Sequence, residues 1–370
     1  MRILMVSKAC LVGAYQTKLE LIADHADLEL MVIVPPSWRD PAGKVNLDRA
    51  HTNGYQLVVD PIRFNGRYHL HYYPHLTRRL REYQPDILHI DEEPYNLATW
   101  KAIRAGRSTG CKTLFFSWQN ISRKYLWPFN KMESSVLKNA DFAIMGNRES
   151  VSVWQGKGYK GPYEIIPQFG VSINRFKRQE QRSRSKEFVI GTAGRRLVRE
   201  KGVGLIIKSV AGLPGSWQLR IAGEGPERQS LEQLAADLGL GHRVYFDGLI
   251  SSEDMPAYLN QLDALVLASR TMPNWKEQFG RVLIEAMACE VPVIGSDSGE
   301  IPNVIGPAGL IFPEDDGETL KKHIQSLMDD ENVRDELSKS GLQRVLAKYT
   351  QEKVADKTVS VYRKMMAQDE

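Results

Sequence analysis

The chain has 370 residues, 42% hydrophobic and 25% charged, with 29 Gly, 18 Pro and 3 Cys. That is enough for two ordinary cores, too apolar for a disordered protein, and no run nears the ~20 apolar residues of a membrane-spanning helix. Net charge is +4, but residues 1–180 hold 25 Lys and Arg against 17 Asp and Glu, and residues 181–370 hold 24 against 28.

The opening MRILMV reads as a first strand, not as a signal peptide. Further strands are expected at Leu28–Val34, Ile87–Ile90, Thr113–Ser117 and Phe142–Met145, with a helix over Tyr15–Ala26 whose apolar residues share one face. In the second half, strands are expected at Phe188–Thr192, Gln218–Ala222, Arg243–Phe246, Ala264–Ala268, Pro292–Gly295 and Gly309–Phe312. Helices over Val203–Ala211, Glu227–Leu238, Ser252–Gln261 and Arg281–Cys289 separate them. This alternation implies an α/β fold with parallel sheets covered on both faces. The polar stretch 170–187 is the expected linker between two doubly wound, Rossmann-like domains, 1–170 and 171–350. The amphipathic segment 351–370 is expected to be helical; periodicity leaves open which domain it covers, and packing back on the first is one solution.

Ligands of open α/β sheets bind beyond the carboxyl ends of the strands, so the loops there carry the candidate chemistry. Glu277 precedes an expected helix that starts near Gly280 and Arg281. Free amides at that helix start suit a diphosphate, and Glu285, within the helix, suits ribose hydroxyls. The loop from Gly191 to Gly202 holds Arg195, Arg196, Arg199 and Lys201 between strand and helix, a plausible phosphate cradle without P-loop spacing. Ala222-Gly-Glu-Gly-Pro226 fits a tight turn as well as a ligand contact. Gly13 follows the first strand, where an ordinary turn is the simpler reading. His69 and His71 alternate as in a strand, with no third or fourth metal ligand at convincing spacing. Neither G-x-S-x-G nor G-x-G-x-x-G occurs, against a serine hydrolase and a standard nicotinamide dehydrogenase. The three cysteines, Cys10, Cys111 and Cys289, form no disulfide framework, which points to a reducing, cytoplasmic setting.

Together these segments resemble the family 4 retaining glycosyltransferases, of the two-Rossmann-domain GT-B type. EQFGRVLIEAMACEVPVIGSDSGEIPNVI is similar to that family's E-x7-E region, RLVREKG to its basic loop, and LRIAGEGP to the segment that follows. The resemblance implies a metal-independent enzyme with no separate cofactor, which moves a sugar from a nucleotide-diphosphate sugar to a saccharide, a lipid-linked saccharide or a small metabolite. It implies that Arg196 and Lys201 hold the diphosphate, that Glu277 meets the donor sugar, and that backbone amides near Phe279 and Gly280 serve sugar or phosphate. It places Glu285 on the ribose, Gly248–Ile250 against the base, and Gly13 in an acceptor-domain loop. Arg195 stands where the family has glycine, and Glu300 replaces a glycine. Trp118 or Gln119 stands where many members carry a histidine, and Trp118, Gln119 and Asn120 are the acceptor-side candidates. The basic first half, with Trp127, Phe129 and Met132, suits a lipid-linked acceptor and peripheral contact with an anionic membrane, on its inner face; nucleic acid is not an expected partner. A nucleotide-sugar epimerase of the same architecture and a non-catalytic sugar-binding partner subunit are the competing readings.

Overall fold

A computed structural model describes residues 1–40, 43–179 and 187–367. The chain divides into two units, Met1–Gly170 with the segment from Gln351 onward, and Val171–Thr350.

In the first unit the strands are β1 (Arg2–Val6), β2 (Glu29–Val34), β3 (Ser37–Asp40), β4 (Gly43–Asn46), β5 (Gln56–Val59), β6 (Ile87–Ile90), β7 (Lys112–Ser117), β8 (Phe142–Met145) and β9 (Tyr163–Ile165). Among the described residues, β3 and β4 form an antiparallel ribbon, and the others form one parallel sheet in the order β5-β2-β1-β6-β7-β8-β9. Strand alternation sends Leu4 and Val6 into one core layer and Ile3 and Met5 into the other. The helix Gln351–Met366 closes that second layer with Val354, Val359, Tyr362 and Met365. The buried Tyr362 hydroxyl lies 2.7 Å from Nδ1 of His89.

The second unit contains β10 (Phe188–Arg196), β11 (Trp217–Glu224), β12 (Val244–Gly248), β13 (Ala264–Leu267), β14 (Val293–Ser296) and β15 (Leu310–Phe312). They form a parallel sheet ordered β12-β11-β10-β13-β14-β15. Leu265 and Leu267 face one core layer, and Ala264 and Val266 the other.

The doubly wound α/β class is therefore present twice. Several local expectations change. The first helix runs Gly13–Ala23. The helix expected over Ser252–Gln261 shortens to Met255–Leu259, because Ser251 and Asp254 hydrogen-bond into a turn before Pro256 in its first turn. His69 and His71 lie outside the strands, and His71 is fully buried. Of the expected linker, residues 180–186 lie outside the described residues. The preceding stretch is anchored: Val171 and Phe176 are buried in a core layer of the second unit, and the Val171 amide donates to the Tyr349 carbonyl.

Candidate functional site

In the second sheet, strand order reverses between β10 and β13, so the chain leaves these neighbours in opposite directions. The loops beyond their carboxyl ends then frame a crevice. The register of β10 against β11 shifts between Ala193 and Arg196. Buried Leu197 anchors the loop, its amide donating to the Glu224 carbonyl over 2.8 Å. One tight turn, Arg199–Lys201, stops at Gly202, whose φ is 63°. A Cβ on Gly202 would stand 1.9 Å from the Ala268 carbonyl oxygen, so only glycine lets this loop lie against the end of β13.

That contact delivers Lys201 to the second loop. Its Nζ lies 2.6 Å from Oε2 of Glu277 and 5.0 Å from the centre of the Trp275 ring. The Ser269 hydroxyl donates to the same carboxylate oxygen over 2.8 Å. The Glu277 carbonyl accepts from the Glu300 amide, and Gly299 passes so close that a Cβ would stand 2.1 Å from that oxygen. Glu277 is thus held at both ends. Beyond it, Gly280 (φ 77°) opens the helix Arg281–Ala288. Arg281 Nε sits 2.8 Å from Oε1 of Glu285. Burial pushes the Glu285 carboxyl above its ordinary value, with Arg281 and then Arg175 pulling it back.

These groups share a cavity of about 690 Å3 within the second unit. Arg175, Arg195, Lys201 and Arg281 bring positive charge to its lining, against the carboxylates of Glu277 and Glu285. Leu249, Ile250, Met255 and Leu267 supply apolar wall. A helix start, several cations and an apolar side make a site for an anion joined to a flat or apolar group.

Of the residues singled out from sequence, Lys201, Glu277, Gly280, Arg281 and Glu285 line this cavity. Arg195 and Arg196 are both exposed, and of the two Arg195 lines the cavity. Gly248 ends β12 at φ 72°, and the next two residues line the wall. Phe279 packs on the core, edge-on to Tyr349 at 5.8 Å. Sequence reading missed Arg175, Ser269 and Trp275. The signal for Ser269 was its place as the first polar residue after the apolar run Ala264–Ala268.

In the first unit the order reverses between β1 and β6, and again a lysine meets a glutamate there. Lys8 is hydrogen-bonded to Glu92, whose other oxygen lies 3.3 Å from Nε2 of His71. Burial opposes ionisation of Glu92, yet Lys8 and His71 outweigh it and hold the carboxyl at about 2. The next residue, Glu93, accepts from the Ser117 hydroxyl (2.6 Å) and the Trp118 amide (2.8 Å). The Trp118 indole donates to Gln168 over 3.1 Å and covers Gly146, where a Cβ would stand 2.2 Å from the ring. Gln119 donates to the Ile121 carbonyl and accepts from the Tyr125 hydroxyl; Asn120 is buried beside it. Trp118 and Gln119 therefore brace this loop. Gly13 starts its helix under Asp48, whose carboxylate fills the space a Cβ would take. Among the described residues, no group of three or more His, Cys, Asp or Glu stands where it would hold a metal ion.

Residues 174–344 match the family model described as Glycosyl transferases group 1. An alpha-D-kanosaminyltransferase of Streptomyces kanamyceticus is 29% identical over 175 residues, 46% of this chain and 44% of that protein. The lipopolysaccharide core biosynthesis glycosyltransferase LpsE of Rhizobium meliloti is 32% identical over 164 residues, 44% of this chain and 46% of that protein. The chain thus spans less than half the length of these curated relatives. Among solved structures, a sucrose-phosphate synthase from Thermosynechococcus elongatus aligns over 100% of both chains, with a TM-score of 0.74 at 21% identity. Anabaena HepE in complex with UDP aligns over 98% of this chain and 100% of that one, with a TM-score of 0.75 at 18% identity. The fold, shared along the whole chain, is that of the GT-B glycosyltransferases, and the match to the group 1 glycosyltransferases lies in the second unit, over residues 174–344.

Proposed function

We propose that the chain transfers a sugar from a nucleoside-diphosphate sugar to an acceptor hydroxyl, with retention of anomeric configuration. The observation that carries this reading is the Lys201–Glu277 pair beside the helix start at Gly280, inside one cation-rich cavity. HepE, which shares the fold, has been solved with UDP and with UDP-glucose.

In this reading the diphosphate lies between Lys201, Arg195 and the amides of the Arg281 helix. The role first given to Arg196 suits Arg195 better, since that side chain lines the cavity. Glu277 meets the sugar hydroxyls, Glu285 the ribose, and Leu249 and Ile250 the base. The bond from the anomeric carbon to the terminal phosphate oxygen breaks, leaving an oxocarbenium-like centre and a growing phosphate charge. Lys201 and the helix amides stabilise that charge, being already in place when it develops. The acceptor oxygen bonds to the same face, and its proton passes to the departing phosphate. No metal ion and no separate cofactor take part. The first unit holds the acceptor, a saccharide or lipid-linked saccharide; the name of LpsE, which refers to the lipopolysaccharide core, favours that class.

A thermal-shift panel of nucleotide sugars and nucleoside diphosphates tests the donor. A ligand at 100 times its Kd adds ~2.7 kcal/mol of stability. No shift with any of them overturns the reading.

A further inference from the structure

Leu126 and Trp127 are the most exposed large apolar residues among those described, at 84% and 78%. They are consecutive, which is unlike the single scattered apolar residues of an ordinary surface. They stand on the loop before the helix Phe129–Asn139. Around them Arg123, Lys124 and Lys131 are exposed, and Lys138 is exposed further along the same helix. The segment 121–139 contains one carboxylate, Glu133, which is buried and hydrogen-bonded to Lys157 over 2.6 Å.

Lys157 ties this loop to a second feature. Its Nζ donates to the Arg123 carbonyl over 2.6 Å and lies 4.9 Å from the centre of the Tyr125 ring. The same lysine lines a cavity of about 380 Å3 with Lys138 and Lys160, beside the Ser134 hydroxyl. Gly158 in its wall has φ 97° and nothing within 4 Å of where a Cβ would stand, so the cavity is open there. Two protruding apolar side chains therefore sit beside a field of lysines and a small basic pocket, with their own carboxylate turned inward.

We propose that the loop 122–128, with Lys131, Lys138 and Lys160, docks the first unit on an anionic lipid bilayer. Leu126 and Trp127 enter the headgroup region, where the amphipathic indole is favoured. The lysines meet the negative surface, and the pocket between Lys138 and Lys160 takes a lipid phosphate. The surface combines two signals, apolar insertion and charge, each too weak alone for stable attachment. A protein partner would want an apolar groove or ridge, whereas this patch is one two-residue projection within a cationic field.

The test is flotation of the full chain with vesicles of phosphatidylcholine alone, or mixed with phosphatidylglycerol. Binding should be roughly tenfold or more stronger to the mixed vesicles and should weaken as salt rises. The double variant L126S/W127S should lose most of that binding. K124Q/K131Q should flatten the salt dependence while keeping both apolar residues. Both pairs are exposed, so both variants should melt like the parent and keep its thermal shift with UDP; these controls separate membrane docking from the donor site. Equal partition to the two vesicle types, or parent-like binding by both variants, overturns the proposal.

Discussion

The Lys201 ammonium lies 2.6 Å from a carboxylate oxygen of Glu277, although 76 residues separate them. The contact exists because the chain leaves β10 and β13 in opposite directions and both loops return to one crevice. Lysine without glutamate would be a surface cation; the pair, with Ser269, holds the ammonium at a fixed point before any ligand arrives. Lys201→Ala should lower kcat by ~100- to 1000-fold, the scale for losing one prepositioned donor of transition-state charge. A folded variant with full turnover would remove Lys201 from the mechanism.

Gly202 carries the loop that places Lys201. A methyl group there meets the Ala268 carbonyl and forces a left-handed conformation on alanine. Gly202→Ala should cost roughly 2 to 4 kcal/mol from these two effects. Urea denaturation measures it, and an unchanged midpoint would show that the loop relaxes freely.

Glu93 sets a pH dependence in the first unit. Burial pushes its carboxyl from 4.5 up to about 7, against hydrogen bonds from Ser117 and Trp118 and the charge of Lys8. The folded chain therefore keeps a proton that the unfolded chain releases between pH 4.5 and 7. This contribution to stability is full below the unfolded value and is lost as pH rises through about 7, on the order of 3 kcal/mol. Adjacent Glu92 has the opposite sign: held at about 2, its contribution is present above 4.5 and lost as pH falls through 2. The two windows do not overlap. Glu93→Gln should flatten the fall in Tm between pH 4.5 and 7, and an unaltered slope would assign that fall to other groups.

Tyr362→Phe removes the hydroxyl beside His89. Burial holds the His89 imidazole well below its ordinary value, so the ring is neutral and depends on that hydroxyl for a partner at Nδ1. The loss should be ~1 to 3 kcal/mol in urea. A change within error would mean that the hydroxyl contributes nothing net.

The architecture was legible because parallel strands buried on both faces appear as apolar runs such as Ala264–Ala268, punctuated by helical periods. The edge strand Gln56–Val59 was not, since its half-exposed residues look like a loop. Helices rich in arginine, such as Leu76–Tyr83, hid their buried Leu76, Leu80 and Tyr83 among charges. At the site, Glu277, Gly280 and Glu285 stood out because a carboxylate, a glycine and a helix start recur within nine residues of sequence. Which of Arg195 and Arg196 enters the cavity was hidden, because a register shift in β10 decides it. Arg175 was invisible for another reason: it belongs to a polar stretch whose neighbours Val171 and Phe176 turn out to be core.

The helix Gln351–Met366 completes the core of a unit that begins at Met1, while everything the other unit needs lies before it. During synthesis, the part made second has all its strands and helices in hand first. Until residues 351–366 have been made, Ile3, Met5 and Val32 lack the cover that this helix gives them. A chain cut before Gln351 would therefore keep every strand and helix of the second unit while leaving one core layer of the first uncovered.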